Sequence, residues 1–310
     1  METVRERCLN ALYWHRLLDT DQLHRMHSPE LHPAWVRRQL RELWGDGYVD
    51  KIAAFRATAQ AAVWFLTPAG VKLAEEGRRS LFGRRYVVNP DQARAKLAHT
   101  LAVNEVGLAF LDAARRRPGD QFGYLDWEPE VAHAHPERRV AVIADALVTY
   151  VAAEDDEQGG YRFVERFVEL DRGSESNKRL REKLRDYHAL RRHWVRTRAG
   201  DAATRGRGRT GDTRRWVDRY PDVFPHLVVV FEFGGTDDSA RRRAERRMRL
   251  AAEACRSSHE LVGGDWPILF CLLADLRAQG PFEPIFWPLT PRPFDVPVDV
   301  LGRAADGAAA

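Results

Sequence analysis

Apolar residues recur at helical spacing through the first 45 residues of the chain. This periodicity predicts three short helices, because residues three or four apart share one face of a helix. The predicted buried stripes are Cys8, Leu9, Leu12 and Leu17 in the first helix, and Val36, Leu40 and Leu43 in the third. Thr20 is a predicted N-cap of the second helix, and Gly45 and Gly47 end the third.

Two strand-like runs, YVDKIAAF and AVWFLT, come next and are joined by the segment from Arg56 to Ala62. A further helix is predicted to begin at Pro68, since proline is favoured in the first helical turn. The order of three helices, a hairpin and a helix resembles a winged helix-turn-helix. That resemblance covers about the first 85 residues and implies a third helix that enters the DNA major groove.

Candidate DNA-binding residues lie on the predicted third helix and at the tip of the hairpin. Trp35, Arg37, Arg38 and Arg41 fall outside the apolar stripe, and Arg56 lies at the wing tip. The planar guanidinium group of arginine can grip phosphate or guanine with paired hydrogen bonds. The alternative is a solvated helix face on a module that binds other proteins.

A long helix is predicted between residues 86 and 118, with Leu97, Leu101, Leu108 and Leu111 on its apolar stripe. Glu105 falls on the same stripe. An unpaired acid is costly at a buried position. Glu105 therefore either reaches water or an arginine at the edge of the stripe, or it serves a functional site.

From about residue 122 the apolar pattern changes to a period of two, which predicts three antiparallel strands. A helix from Asn177 to about Val195 and an arginine-rich loop at 196–215 follow, and we expect that loop to be mobile. A strand, helix and strand unit then predicts two buried parallel strands. From Gly280 onward the chain is expected to lie across the surface.

Carboxylates cluster in the predicted strands of this second half. In RFVERFVELD, alternation places Glu169 and Asp171 on one face of the strand, and Asp145 interrupts the preceding apolar strand. Two such acids close together need a cation between them. Carboxylate oxygens suit Mg²⁺ or Mn²⁺, so we expect a metal site at Asp145, Glu169 and Asp171; an arginine is the other candidate for the cation.

The segments IADALVTY and FVELDRGSESNKRLREKLRDYHAL, with LAHTLAVNEVGLAFLDA, resemble the replication-relaxation family of plasmid and mobile-element proteins. This resemblance implies a second domain similar to the PD-(D/E)XK nuclease-like fold. It also implies that Asp145, Glu169 and Glu105 are acids of the site. Two positions depart from the nuclease pattern: Asp171 stands where that pattern has lysine, and Ala144 replaces a proline.

The lysine of such a site is expected from the following helix instead. Lys183 borders the face that must pack on the sheet, and Lys178 is an alternative. With Lys183 beside the acids, the implied chemistry is metal-assisted attack of water on a phosphodiester. Otherwise the acids form a lattice of salt bridges with Arg166, Arg172 and Lys183.

Composition narrows the class of protein. With 310 residues, 44% of them hydrophobic, the chain can bury enough surface for two domains. We predict a winged helix-turn-helix at 1–85, an α/β (α+β) nuclease-like domain at 86–290 and a flexible tail at 291–310. The three cysteines are too widely spaced for a zinc site. No apolar run reaches about 20 residues, so we expect a cytoplasmic protein without a membrane partner.

Charge is compatible with nucleic acid but does not require it. The net charge is +4, and 44 of the 49 basic residues are arginine. The expected partner is double-stranded DNA, with a homodimer and replication or transfer proteins as further partners. Two hypotheses follow: a Mg²⁺- or Mn²⁺-dependent DNA nicking or cleaving enzyme, or a winged-helix initiator or regulator whose nuclease-like domain is silent and serves dimerisation or docking.

Overall fold

The computed structural model describes residues 3–27, 29–56, 59–78, 89–134, 141–154, 159–203, 219–221, 223–234, 237–262, 266–292 and 294–304. The chain divides into two compact units, Met1–Pro129 and Glu130–Ala310. The domain boundary predicted after residue 85 lies outside the described residues.

In its described residues, the first unit combines five helices with a three-stranded antiparallel sheet. Its elements are α1 (Val4–His15), β1 (Leu18–Asp19), α2 (Thr20–His27), α3 (Ala34–Gly45), β2 (Val49–Arg56), β3 (Ala59–Leu66), α4 (Pro68–Arg78) and α5 (Pro90–Arg116). The strand order is β1-β3-β2. The two-residue strand β1 is too short to show any periodicity, so the sequence pattern missed it.

The predicted apolar stripes form the core of the first unit. Leu12, Val36, Leu40 and Leu43 are fully buried. A second, smaller cluster joins Leu17, Ile52, Val63 and Phe65 to Leu101 of α5. The hairpin is longer than its sequence pattern indicates, because pairing of β2 with β3 continues to Arg56 and Ala59.

The second unit is built on a six-stranded mixed sheet in the order β4-β5-β6-β7-β8-β9. Its elements are β4 (Trp127–Ala134, which begins in the first unit), β5 (Ala141–Ala153), β6 (Tyr161–Asp171), α6 (Asn177–Ala203), β7 (His226–Phe231), α7 (Asp238–Arg256), α8 (His259–Val262), β8 (Ile268–Leu272), α9 (Leu273–Gln279) and β9 (Trp287–Pro288). β5 and β6 are antiparallel, whereas β6, β7 and β8 run parallel. The predicted parallel pairing of the two apolar strands is confirmed.

Helices α6 and α7 cover one face of this sheet. Leu184 and Tyr187 of α6 and Met248 of α7 share a buried cluster with Phe167 of β6 and Val229 of β7. The alternation of side chains along the strands brings the odd-numbered residues of β6 to this face. Polar side chains at odd-numbered positions near the end of β6 therefore lie on the face that the two helices cover.

Two expectations about irregular segments are corrected. Helix α6 continues to Ala203, so the first part of the predicted 196–215 loop is helical, and residues 204–218 lie outside the described part. After Gly280 the chain returns to the sheet: β9 pairs with β8, and Phe286 and Val300 are fully buried. Their apolar side chains pull the segment inward despite its prolines.

Within the described residues, no helix combines the length and the apolar character that a membrane crossing requires.

Candidate functional site

Asp145 and Glu169 lie side by side where the pairing of β5 with β6 ends. The last registered pair is Ala146 with Val168, so Asp145 and Glu169 are the next residues along the two strands. The Asp145 carboxylate accepts a hydrogen bond from the backbone N–H of Leu170 at 2.8 Å. This bond takes the place of a ladder contact and holds the carboxylate against β6.

Glu169 is buried, with 2% of its surface exposed, and two side chains of α6 bind it. Lys183 forms an ion pair with one carboxylate oxygen, and the Tyr187 hydroxyl donates to the other. Lys183 and Tyr187 are four residues apart, so they lie on the same face of the helix. Leu184, next to Lys183 on α6, packs in the core.

The proton affinities in this cluster follow from burial and from an excess of negative charge. Burial first, and then the neighbouring Asp145, raise the pKa of Glu169 well above its usual value, although Lys183 and Tyr187 oppose the shift. Burial lowers the pKa of Lys183, but Glu169 and Asp145 outweigh it and the net shift is upward. Two carboxylates share one ammonium group, and this excess of negative charge acts on both pKa values in the upward direction.

Asp171 has separate partners. Arg247 of α7 binds it through Nη2 at 2.7 Å and Nε at 3.1 Å, and the N–H of Gly173 donates to it at 2.6 Å. Arg247 also binds Asn177 and, at 2.9 Å, the carbonyl of Glu175. A single guanidinium group therefore ties the end of β6, the following turn and the start of α6 together.

Gly173 is required by this turn for two reasons. Its φ of +74° is strained for other residues, and an added Cβ would lie 2.3 Å from the ring of Phe233. The DRGSE segment thus contains a glycine because of both backbone conformation and packing.

A three-carboxylate metal site does not fit this arrangement. Arg247 neutralises Asp171, while Lys183 and Tyr187 bind Glu169. In the described part of the chain, no group of three His, Cys, Asp or Glu side chains is placed to hold a metal ion. Asp145 and Glu169 remain as a pair of hard oxygen donors.

The salt-bridge lattice that the sequence offered as an alternative is only partly formed. Lys183 pairs with Glu169 as that alternative requires. Arg166 is buried and donates to the carbonyls of Glu165 and Val300, while Arg172 pairs with Glu232 at 2.8 Å. Lys178 is exposed and does not pair with the acids among the described residues.

Glu105 belongs to a polar network within the first unit. Its carboxylate accepts from Gln22 at 2.8 Å and from Arg25 at 2.9 Å, and Arg25 also binds Asp112 at 2.8 Å. The expectation of an arginine at the edge of the stripe is confirmed. None of these contacts supports a role for Glu105 as a metal ligand or as a catalytic acid.

The predicted DNA-binding residues of α3 are exposed. Trp35 is 55% exposed, and Arg37, Arg38 and Arg41 also face solvent. Arg38 pairs with Glu42 on the next turn at 2.9 Å. Arg56 is the last residue of β2, and its side chain lies outside the described part of the structure.

Two residues of the site were missed by sequence reasoning. Tyr187 could have been found, because it follows Lys183 by four residues on the packing face of α6. Arg247 carries no local signal, since it is one of several arginines in α7 and is separated from Asp171 by 76 residues.

These features define a two-unit protein of mixed α and β structure, with a six-stranded mixed sheet in its second unit. The chain matches the replication-relaxation family over residues 9–205 and belongs to that family. No curated protein matches it. Among solved structures, a mutant of Lactococcus lactis ZitR in apo form is 15% identical, with 31% of this chain and 78% of that chain covered. Its TM-score is 0.20, so it does not define the fold of this chain.

Proposed function

We propose that this protein binds double-stranded DNA through the exposed face of α3. The name of the family implies a role in replication, and we propose that this protein has such a role in plasmids or mobile elements. In this proposal the first unit contains a winged helix-turn-helix, with α3 as recognition helix and the β2–β3 hairpin as wing. The order of its helices and strands, with β1 added to the hairpin, supports that assignment.

The observation that carries the proposal is the position of two arginines on α3. At 100° per residue, Arg38 and Arg41 point away from the stripe of Val36, Leu40 and Leu43, which is fully buried. Nothing acidic in the described chain pairs with Arg41, whereas Arg38 has only the exposed partner Glu42. Such an exposed ion pair costs little to exchange for a phosphate.

The test is the binding of the full-length protein to a fluorescent 30-base-pair duplex, measured by anisotropy over a range of salt concentrations. We expect Arg38→Gln/Arg41→Gln to weaken binding and to reduce the slope of log K against log salt by about 1.8, for two lost phosphate contacts. Arg162→Gln/Arg277→Gln removes the same charge from the second unit and should leave the slope unchanged. Equal slopes for both double variants would refute the role of α3.

A second candidate function is metal-dependent hydrolysis of a phosphodiester in the second unit. The proximity of Asp145, Glu169 and Lys183 near the end of β6 favours it, as does the order of β5, β6 and α6, which is similar to the PD-(D/E)XK nuclease-like fold. Asp145 and Glu169 would hold one Mg²⁺ or Mn²⁺, which would stabilise negative charge on the phosphate. Lys183 would hold the Glu169 carboxylate in place.

The competing interpretation is a silent nuclease-like domain in which Lys183 and Tyr187 only neutralise a buried acid. An assay for conversion of supercoiled plasmid to open circles with Mg²⁺ or Mn²⁺ distinguishes the enzyme from the silent domain. If the unit is an enzyme, Glu169→Gln abolishes conversion while duplex binding persists, because binding depends on arginines of the first unit. If wild-type protein binds duplex but leaves plasmid intact with both metals, the silent domain is the better proposal. The homodimer and protein partners stay predictions.

A further inference from the structure

Helix α7 presents a row of arginines to solvent. Arg242, Arg246 and Arg249 follow one another at intervals of four and three residues, so they lie along one exposed side of the helix. The opposite side packs on the sheet through the buried residues Ala240, Ala244, Met248, Ala251, Ala252 and Cys255. The helix is therefore amphipathic, with arginines as its polar side.

Five arginines of α7 fall into two groups by their partners. Arg241 binds Asp275 at 2.6 Å and Arg247 binds Asp171 at 2.7 Å, so these two stabilise the fold. Across the described chain, no carboxylate pairs with Arg242, Arg246 or Arg249. The guanidinium group of Arg249 lies 5.3 Å from the centre of the Phe294 ring, a contact that orients the group without neutralising it.

The start of α6 extends this basic side. Asn177 binds Arg247 and donates to the carbonyl of Leu250 at 3.4 Å, which places the first turn of α6 beside the middle of α7. Lys178, the next residue of that turn, is exposed. Three acids flank the arginine side of α7: Asp238 lies four residues before Arg242, Glu245 pairs with Arg241, and the exposed Glu253 lies one turn beyond Arg249.

We propose that Arg242, Arg246 and Arg249 form a second nucleic-acid surface, which contacts the phosphate backbone without reading bases. The three residues span about 10 Å of helix, a length that matches a few phosphates along one strand. Arginines kept without acidic partners are ready to bind phosphate, because no ion pair must first be broken. This surface belongs to the second unit and does not depend on the α3 proposal.

The first experiment compares salt dependence of duplex binding by the full-length protein. We expect Arg242→Gln/Arg246→Gln/Arg249→Gln to reduce the slope of log K against log salt by about 2.7, for three lost phosphate contacts. Arg162→Gln/Arg277→Gln is the control for loss of charge elsewhere. Glu253→Gln should strengthen binding, because it removes an exposed negative charge from the same side of the helix.

A second experiment locates the contact. The native cysteines Cys8, Cys255 and Cys271 are buried, so a thiol-reactive photo-crosslinker attached to the folded protein labels an introduced surface cysteine selectively. We expect Arg246→Cys to crosslink to the labelled duplex and Arg277→Cys on α9 to remain uncrosslinked. Crosslinking also detects the contact in a variant whose affinity for the duplex changes little.

The outcomes separate this surface from α3 and from other anionic partners. Loss of slope in the α7 triple variant, with none in the α3 double variant, would support this surface and refute the role of α3. An unchanged slope together with no crosslink at residue 246 would overturn the α7 proposal. Binding to phosphatidylserine vesicles that is lost in the triple variant, with duplex binding intact, would overturn it in favour of a lipid surface.

Discussion

Lys183 of α6 forms an ion pair with Glu169 of β6, and the carboxylate it neutralises is almost completely buried. The lysine itself keeps 29% of its side chain exposed, so it brings charge compensation from the solvent side of the cluster. Tyr187 completes the contacts of Glu169 from within the core. The pair thereby links the end of β6 to the helix that covers it.

Loss of Lys183 should destabilise the second unit. Lys183→Met leaves Glu169 buried beside Asp145 without a cation, and breaking a buried pair in this way costs roughly 3 kcal/mol or more. Partial exposure of the lysine reduces the expected loss to about 2 kcal/mol. Urea unfolding measures the change. Lys183→Met/Glu169→Gln should recover most of it, and a double variant as unstable as the single one would contradict this explanation.

Stability should depend on pH through Glu169. Its pKa in the folded protein is raised above the usual 4.5, so the folded state holds a proton that the unfolded state has released. The free energy of unfolding therefore falls as the pH rises from about 4.5 through the folded pKa. Glu169→Gln should remove this fall. Parallel urea titrations of both proteins at several pH values test it, and identical pH profiles would exclude Glu169 as the cause.

Arg247→Met should destabilise the protein more than Arg246→Met, one residue earlier on the same helix. Arg247 neutralises the buried Asp171 and binds the turn that follows it, whereas Arg246 faces solvent. We expect a loss of about 3 kcal/mol for Arg247→Met and under about 0.5 kcal/mol for Arg246→Met. Equal losses in chemical denaturation would show that the Asp171 contact adds nothing to stability.

Two glycine substitutions should separate backbone strain from steric overlap. Gly173 and Gly159 both have positive φ, but an added Cβ would approach the Phe233 ring only at Gly173. Gly159→Ala should cost about 1 kcal/mol from strain alone, and Gly173→Ala about 1–3 kcal/mol more. The midpoints of thermal unfolding give the comparison. Similar midpoints for both variants would mean that Phe233 moves aside without cost.

Glu105→Gln tests the network of the first unit. The variant keeps a side chain of the same shape but loses the charge that binds Arg25, while Asp112 still holds that arginine. We expect a loss of about 2 kcal/mol, the typical value for a hydrogen bond between charged groups. A double-mutant cycle with Arg25→Met measures the coupling. A coupling energy near zero would leave Glu105 without a structural reason for its position.

Local periodicity in the amino-acid sequence was enough to predict which residues share a face. Helical spacing placed Val36, Leu40 and Leu43 inside and Arg38 and Arg41 outside, and strand alternation placed Glu169 and Asp171 on one face of β6. Both follow from backbone geometry, which repeats within a few residues. The parallel pairing of the two apolar strands was also predicted, because strands buried on both faces read as continuous apolar runs.

Helical spacing led us to expect Lys183 beside the acids, but which acid it binds, and the partner of the other acid, depend on how distant helices pack. Glu169 and Asp171 share a face of β6, yet one binds Lys183 of α6 and the other binds Arg247 of α7. Local spacing sets the direction of a side chain, but the docking of distant helices sets what it meets. The same applies to the chain after Gly280, whose return to the sheet depends on buried residues such as Phe286 finding space beside β8. Packing of segments far apart in the chain leaves no periodic signal in the sequence.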